Sequence, residues 1–145
     1  LITLERIKHV VRYLAGTKDH DILFCPNPTS GVVGYTDSDF AGCVDSRKST
    51  TGYCFKFGNG AISWKSKLQE CTTTSTTKAN YVAASDAAKE ALWLGWLAHT
   101  FRQVKSNSAL VVYNDSQGGV ASSKNPVYHN ASKHINVRYH FIQDC

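Results

Sequence analysis

Leu110-Val111-Val112-Tyr113-Asn114-Asp115 is the stretch on which the fold turns. Residues 110–113 form an unbroken apolar run, the pattern of a strand buried on both faces, and Asn114-Asp115 closes it. A helix precedes it. From about Thr77, the residues Tyr81, Ala84, Ala88, Ala91, Leu92 and Trp96 share one face at helical spacing, with Ser75, Thr76 or Thr77 as N-cap. That helix is predicted to reach about His99, with Trp93 and Trp96 as packing residues. A strand that follows a long helix joins a sheet through a crossover, which sets it parallel to an earlier strand.

The earlier strands are legible upstream. Residues 32–37 alternate, are rich in β-branched and aromatic side chains, and end in Asp37-Ser38-Asp39. Residues 52–57 and 61–64 flank Gly58-Asn59-Gly60, in which Asn-Gly is a strong hairpin signal. Three antiparallel strands followed by a parallel one beside the first make an α/β domain with a mixed sheet. In front of it, Leu4, Ile7, Val10, Val11 and Leu14 put an apolar stripe on a helix that stops at Gly16. Residues 22–24 are predicted as a short extra strand, closed by turn-forming residues 26–31. The boundary of the main domain is therefore set at residues 30 and 31. Beyond Asp115 a short helix is predicted from Ser116, and a final one over residues 133–142, where Ile135, Tyr139 and Ile142 keep helical spacing.

A chain of 145 residues with 42% hydrophobic content suits one compact domain. The formal charge of +5 favours a polyanionic partner without requiring one. The chain starts at Leu1 and contains no methionine, so it is read as a fragment or processed piece. It has neither an apolar run near the ~18 residues of a membrane span nor a signal-peptide layout, so an intracellular, soluble protein is expected. Cys25, Cys43, Cys54, Cys71 and Cys145 are scattered and odd in number, which suggests reduced, mostly buried thiols. His129, His134 and His140 lack the Cys or carboxylate pair of a zinc site, so surface or nucleic-acid-facing roles rank above metal ligation.

If residues 32–36 and 110–114 are parallel neighbours, Asp37 and Asp115 emerge together at their carboxyl ends, where open α/β sheets place their sites. Two facing carboxylates suit Mg²⁺ or Mn²⁺, and a pair of such ions about 3.5 to 4 Å apart would clamp a phosphodiester. The same aspartates could equally cap a strand end and a helix start. Arg47, Lys48, Lys56, Lys65 and Lys67 are expected to cluster on the second and third strands, with Ser49, Thr50 and Thr51 as phosphate donors. An ordinary solvated basic face is as good an account of any one lysine. Core or sheet-face roles are expected of Tyr53 and Trp64 before any stacking on nucleic acid.

Tyr35-Thr36-Asp37-Ser38-Asp39-Phe40-Ala41-Gly42 is similar to the YSDADWAG signature of ribonuclease H domains in copia-type retrotransposons, and residues 47–53 resemble its RRSTSGY. Ile62-Ser63-Trp64-Lys65-Ser66-Lys67-Leu68-Gln69 resembles ISWRSKLQ, residues 90–94 resemble EALWL, and Asn114-Asp115-Ser116-Gln117 resembles CDNQ or CDSQ. Residues 124–129, Lys133-His134-Ile135 and His140-Phe141-Ile142 continue the series. The resemblance spans essentially the whole chain. Residues 11–18 look like the RYLKGTK segment that joins reverse transcriptase to RNase H, which makes residues 1–30 the end of that connection and 31–145 the RNase H-like domain.

The resemblance implies four acidic residues holding two Mg²⁺ ions for cleavage of the RNA strand of an RNA:DNA hybrid, with reverse transcriptase in cis. Asp37 matches the first acid and Asp115 the third. The second belongs to the family's TEAEY, where this chain has Thr77-Lys78-Ala79-Asn80-Tyr81, so Asn80 stands at the glutamate position and Lys78 adds a cation. Asp86 and Glu90 lie more than a turn away, too far to substitute. The fourth follows a fifth strand in a segment like LADIFTK, which this sequence does not contain; an alternative alignment uses the aspartate of KHID, where this chain has Asn136. Weak or absent cleavage is therefore expected, with a nucleic-acid- or protein-binding remnant as the other reading. Nucleic-acid contacts are assigned to Arg47, Lys48, Ser49, Thr50, Lys65, Lys67, His129 and His134. Without a fifth strand, residues 110–113 would present an open apolar edge, favouring a homodimer.

Overall fold

A computed structural model describes residues 4–24, 31–101 and 110–115. Within them the elements are α1 (Leu4–Gly16), β1 (Val33–Asp39), β2 (Thr50–Phe57), β3 (Gly60–Leu68), α2 (Thr76–Thr100) and β4 (Val111–Asn114). The strands form one mixed sheet in the order β3-β2-β1-β4. β1 pairs antiparallel with β2 and β2 with β3, while β4 lies parallel to β1 across the α2 crossover. The fold is α/β with the strand arrangement of an RNase H-like sheet. The predicted helices after Asp115, and His129, His134 and Asn136 with them, lie outside the described residues.

The β2–β3 hairpin closes through Gly58 and Asn59, whose φ values of 54° and 67° are the positive pair a two-residue turn of the right twist demands. The turn centre is thus Gly-Asn. β3 is longer than residues 61–64, because Ser63, Lys65 and Lys67 are polar yet face the helix side, where α2 supplies partners. Glu90 accepts hydrogen bonds from the Ser63 hydroxyl at 2.6 Å and the Tyr53 hydroxyl at 3.4 Å. Asp86 pairs with Lys65 at 3.8 Å and Lys89 at 4.0 Å.

One face of the sheet carries the core. Val32, Phe55, Ala87, Ala91 and Leu94 form the buried cluster, with Tyr53, Phe57, Ala98, Leu110 and Val112 packed around it. Phe55 is fully buried, and its ring lies against Gly34, where an added Cβ would strike it. α2 meets the sheet through Ala79, Ala83, Ala87, Ala91 and Leu94, a stripe of mostly small side chains that lets the helix approach closely.

Four expectations are corrected here. Of the helix face read from Tyr81, Ala84, Ala88, Ala91, Leu92 and Trp96, Tyr81 and Ala91 are buried, but Leu92, Trp96 and the neighbouring Trp93 are half or more exposed, because alanines take the sheet side. β4 is not buried on both faces, since Val111 and Tyr113 point outward and only Val112 and Leu110 turn to the core. Residues 22–24 form no strand, and Ile22, Leu23 and Phe24 are largely exposed. Cys43, Cys54 and Cys71 are free thiols, as expected, but half-buried.

Candidate functional site

Pairing fixes the geometry. Thr36 lies opposite Asn114 in the parallel β1–β4 pair, so Asp37 and Asp115 leave the sheet side by side. Both line one cleft of about 550 Å³, together with Tyr35, Gly52, Cys54 and Tyr113. Alternation explains the company: residues 35 and 37 point to the face away from α2, whereas Gly34 and Thr36 are buried beneath it. Gly52, opposite Asp37, contributes no side chain and leaves the floor beside the carboxylate clear. Asp37 Oδ1 accepts the Ser38 backbone N–H at 2.7 Å, which fixes the orientation of the carboxylate.

The start of α2 packs on the other face of β1, where it meets Ser38. Ser75 caps the helix by accepting the Lys78 N–H at 3.3 Å. The approach is held from inside: Gln69 Nε2 donates to Thr51 Oγ1 at 3.1 Å and to the Ala79 carbonyl at 3.0 Å. Asn80, one turn into the helix, is 8% exposed, and its Oδ1 accepts the Ser38 hydroxyl at 2.6 Å. Asn80 therefore sits beside the residue after Asp37, its oxygen engaged in a neutral hydrogen bond. Lys78 turns aside, donating to Thr74 Oγ1 at 3.1 Å.

No protein-family model matches the chain. Over 140 residues it is 46% identical to a retrovirus-related Pol polyprotein from transposon TNT 1-94 of Nicotiana tabacum, covering 97% of this chain and 10% of that one. Matches of 38% and 36% identity, over 138 and 141 residues, join it to the retrovirus-related Pol polyproteins from transposons RE2 and RE1 of Arabidopsis thaliana. The chain is homologous to one segment of retrotransposon Pol polyproteins. It spans about a tenth of the length of these curated relatives.

What the site could hold follows from its donors. Mg²⁺ is commonly bound by one or two carboxylates plus water and substrate oxygens, and Asp37 and Asp115 on one cleft fit a single such ion. They do not fit two. Among the described residues no group of three or more His, Cys, Asp or Glu side chains could hold a metal, and Asn80 offers one neutral oxygen already engaged. Asp86 and Glu90 are committed to the Lys65, Ser63 and Tyr53 network. That network raises the Tyr53 pKa, through burial first and the negative charge of Glu90 second.

The basic residues expected to cluster on the second and third strands do not share one surface. Arg47 and Lys48 lie in the loop before β2, not on a strand, with Arg47 held at φ 52°. Lys65 is bound to Asp86 on the helix side and lies 5.8 Å from the Tyr53 ring centre, while Lys67 pairs with Glu70 at 3.2 Å. Lys56 is on the opposite face, next in sequence to the core residue Phe55. Ser49 is corrected outright as a phosphate donor: it is fully buried, its hydroxyl accepting the Ala41 N–H at 3.1 Å and sharing a 2.9 Å bond with Thr73. Thr51 is buried too, and Thr50 is half-buried.

Sequence reasoning missed Ser38, Gly52 and the pair Tyr35 and Tyr113. The signal was available: residues two before each aspartate must share its face in a strand. Among the described residues, no helix is long and apolar enough to cross a membrane.

Proposed function

We propose that this chain is the RNase H-like domain of a copia-type Pol polyprotein, built to cut the RNA strand of an RNA:DNA hybrid with Mg²⁺ or Mn²⁺ and impaired in this copy. One observation supports the reading: Asp37 and Asp115, from parallel neighbouring strands, line one cleft, and Asn80, which the resemblance sets at the glutamate position, is hydrogen-bonded to Ser38, next in sequence to Asp37. A cation held there would offset charge on a scissile phosphate. Asp37 and Asp115 would hold it, Ser38 would orient Asp37 through its backbone N–H, and the clear floor at Gly52 would admit the phosphate. Asn80 can add neither charge nor a bidentate carboxylate, so the second ion of the family has no anchor among the described residues. Reverse transcriptase in cis and an intracellular setting complete the proposal.

The test is a labelled RNA:DNA hybrid incubated with Mg²⁺ or Mn²⁺ and the chain, Asp37→Asn or Asn80→Glu. Wild type is expected to cut slowly, and Asn80→Glu to gain roughly 10²- to 10³-fold, the usual weight of one electrostatic group. Asp37→Asn should abolish both. Robust wild-type cleavage that Asp37→Asn leaves intact would refute the assignment. The Asn80–Ser38 hydrogen bond, a settled neutral arrangement at the glutamate position, also favours a second reading, a module that binds nucleic acid without cutting it. Hybrid affinity that persists in EDTA, with no gain from Asn80→Glu, selects that reading.

A further inference from the structure

The sheet face away from α2 carries an ordered sequence of chemistry along β1. The first rank, set by cross-strand register, is Val111, Val33 and Lys56; the next is Tyr113, Tyr35, Cys54 and Trp64; the last pairs Asp37 with Gly52, and Asp115, just past the end of β4, lines the same cleft. The middle rank crosses all four strands and is mostly aromatic. Tyr35 and Tyr113 are stacked at 5.5 Å between ring centres and 27° between planes, yet remain 48% and 56% exposed, and Trp64 is 67% exposed. Single exposed rings are ordinary, as at Trp93 and Trp96, but three aligned in one rank of the sheet, two of them stacked, present a continuous π surface that the core does not use. The cleft it borders, at about 550 Å³, is within the range of pockets that take small planar ligands.

We infer that Tyr35, Tyr113 and Trp64 form a stacking ledge for the unpaired bases of a single-stranded nucleic acid, leading the strand toward Asp37 and Asp115. The chemistry selects this occupant. Flat bases stack on aromatic rings without needing a particular sequence, and only an unpaired strand offers them a free face. Lys56 at one end of the face supplies a phosphate contact, and the chain's charge of +5 favours a polyanion. The carboxylates at the other end repel phosphate, so affinity must come chiefly from the bases. The inference rests on the nucleic-acid reading above but not on cleavage.

The experiment measures fluorescence anisotropy of a short labelled deoxyadenosine oligonucleotide, beside an abasic oligonucleotide of equal length, with the full chain. Tyr35→Ala and Tyr113→Ala should each weaken binding to the base-bearing strand by roughly 5- to 150-fold, the range for losing one stacked base. The Tyr→Phe variants keep the ring and should stay within about two-fold of wild type. Because these residues are half exposed, unchanged circular dichroism and melting are expected of all four variants. Equal affinity for the abasic strand, or alanine variants that bind like wild type, overturns the ledge even if Asn80→Glu cuts hybrids. A dimer that Tyr113→Ala dissolves, without oligonucleotide affinity, overturns it in favour of a second copy of the chain. Base-dependent binding lost in the alanine variants supports it even where no cleavage is found.

Discussion

The two faces of the sheet are made from the same strands by alternate residues, and they differ in almost every physical respect. Beneath α2, Phe55, Ala87, Ala91 and Leu94 exclude water, and Glu90, Asp86 and Gln69 satisfy polar side chains that strand alternation sends inward. On the other face Tyr35, Asp37, Tyr113 and Asp115 are all exposed. One face holds the molecule together while these four residues on the other take no part in its core. Stability and chemistry are thus separable here by residue parity.

That separation can be broken from the packed side first. Phe55→Ala should cost about 3–5 kcal/mol in urea unfolding, because a fully buried ring leaves a cavity under α2. A loss under 1 kcal/mol would show that the helix face is not the stabilising one. Gly34→Ala should cost roughly 1–3 kcal/mol by driving a methyl into the Phe55 ring, and Phe55→Leu in the same chain should recover part of it.

Glu90→Gln tests the polar part of the same face. Replacing the carboxylate weakens the hydrogen bonds from Ser63 and Tyr53, at about 1 kcal/mol by thermal or denaturant unfolding. It also lowers the Tyr53 pKa without restoring it, since burial, the larger cause, persists. The sign follows from linkage: the phenol is raised when folded, so its contribution is whole below the ordinary phenol range and is lost as pH rises through the folded value. Absorbance titration of wild type against Tyr53→Phe should find this tyrosine ionising at higher pH than a free phenol. No displacement between wild type and Glu90→Gln would sink the assignment. The smallest effect belongs to the open face: Asp37→Asn should change unfolding free energy by under about 0.5 kcal/mol while removing Mg²⁺-dependent behaviour.

How much of this was legible depends on which physical rule governed each residue. The order of strands, the hairpin and the parallel return were readable because Gly58-Asn59-Gly60 and the crossover constraint leave few alternatives. The face of α2 was misread because Leu92, Trp93 and Trp96 have the stronger hydrophobic signal, whereas close helix–sheet contact selects Ala83, Ala87 and Ala91. β4 was read as doubly buried because an edge strand with Val111 and Tyr113 outward looks, letter by letter, like a central one. Topology set Asp37 and Asp115 side by side, and only the resemblance preferred a shared site over two capping roles. Ser49 was misjudged because a serine in a Ser/Thr-rich loop gives no sign that its hydroxyl will close a buried bond to Thr73.

β1 is hydrogen-bonded on both sides, antiparallel to β2 and parallel to β4, so its seven residues have one permitted phase. A single inserted residue between Gly34 and Tyr35 would exchange the two faces downstream, sending Asp37 under the helix and Thr36 out to solvent. Such an insertion would cost both the core and the acidic pair at once. β1 therefore tolerates exchange of an exposed side chain far better than any change in its length.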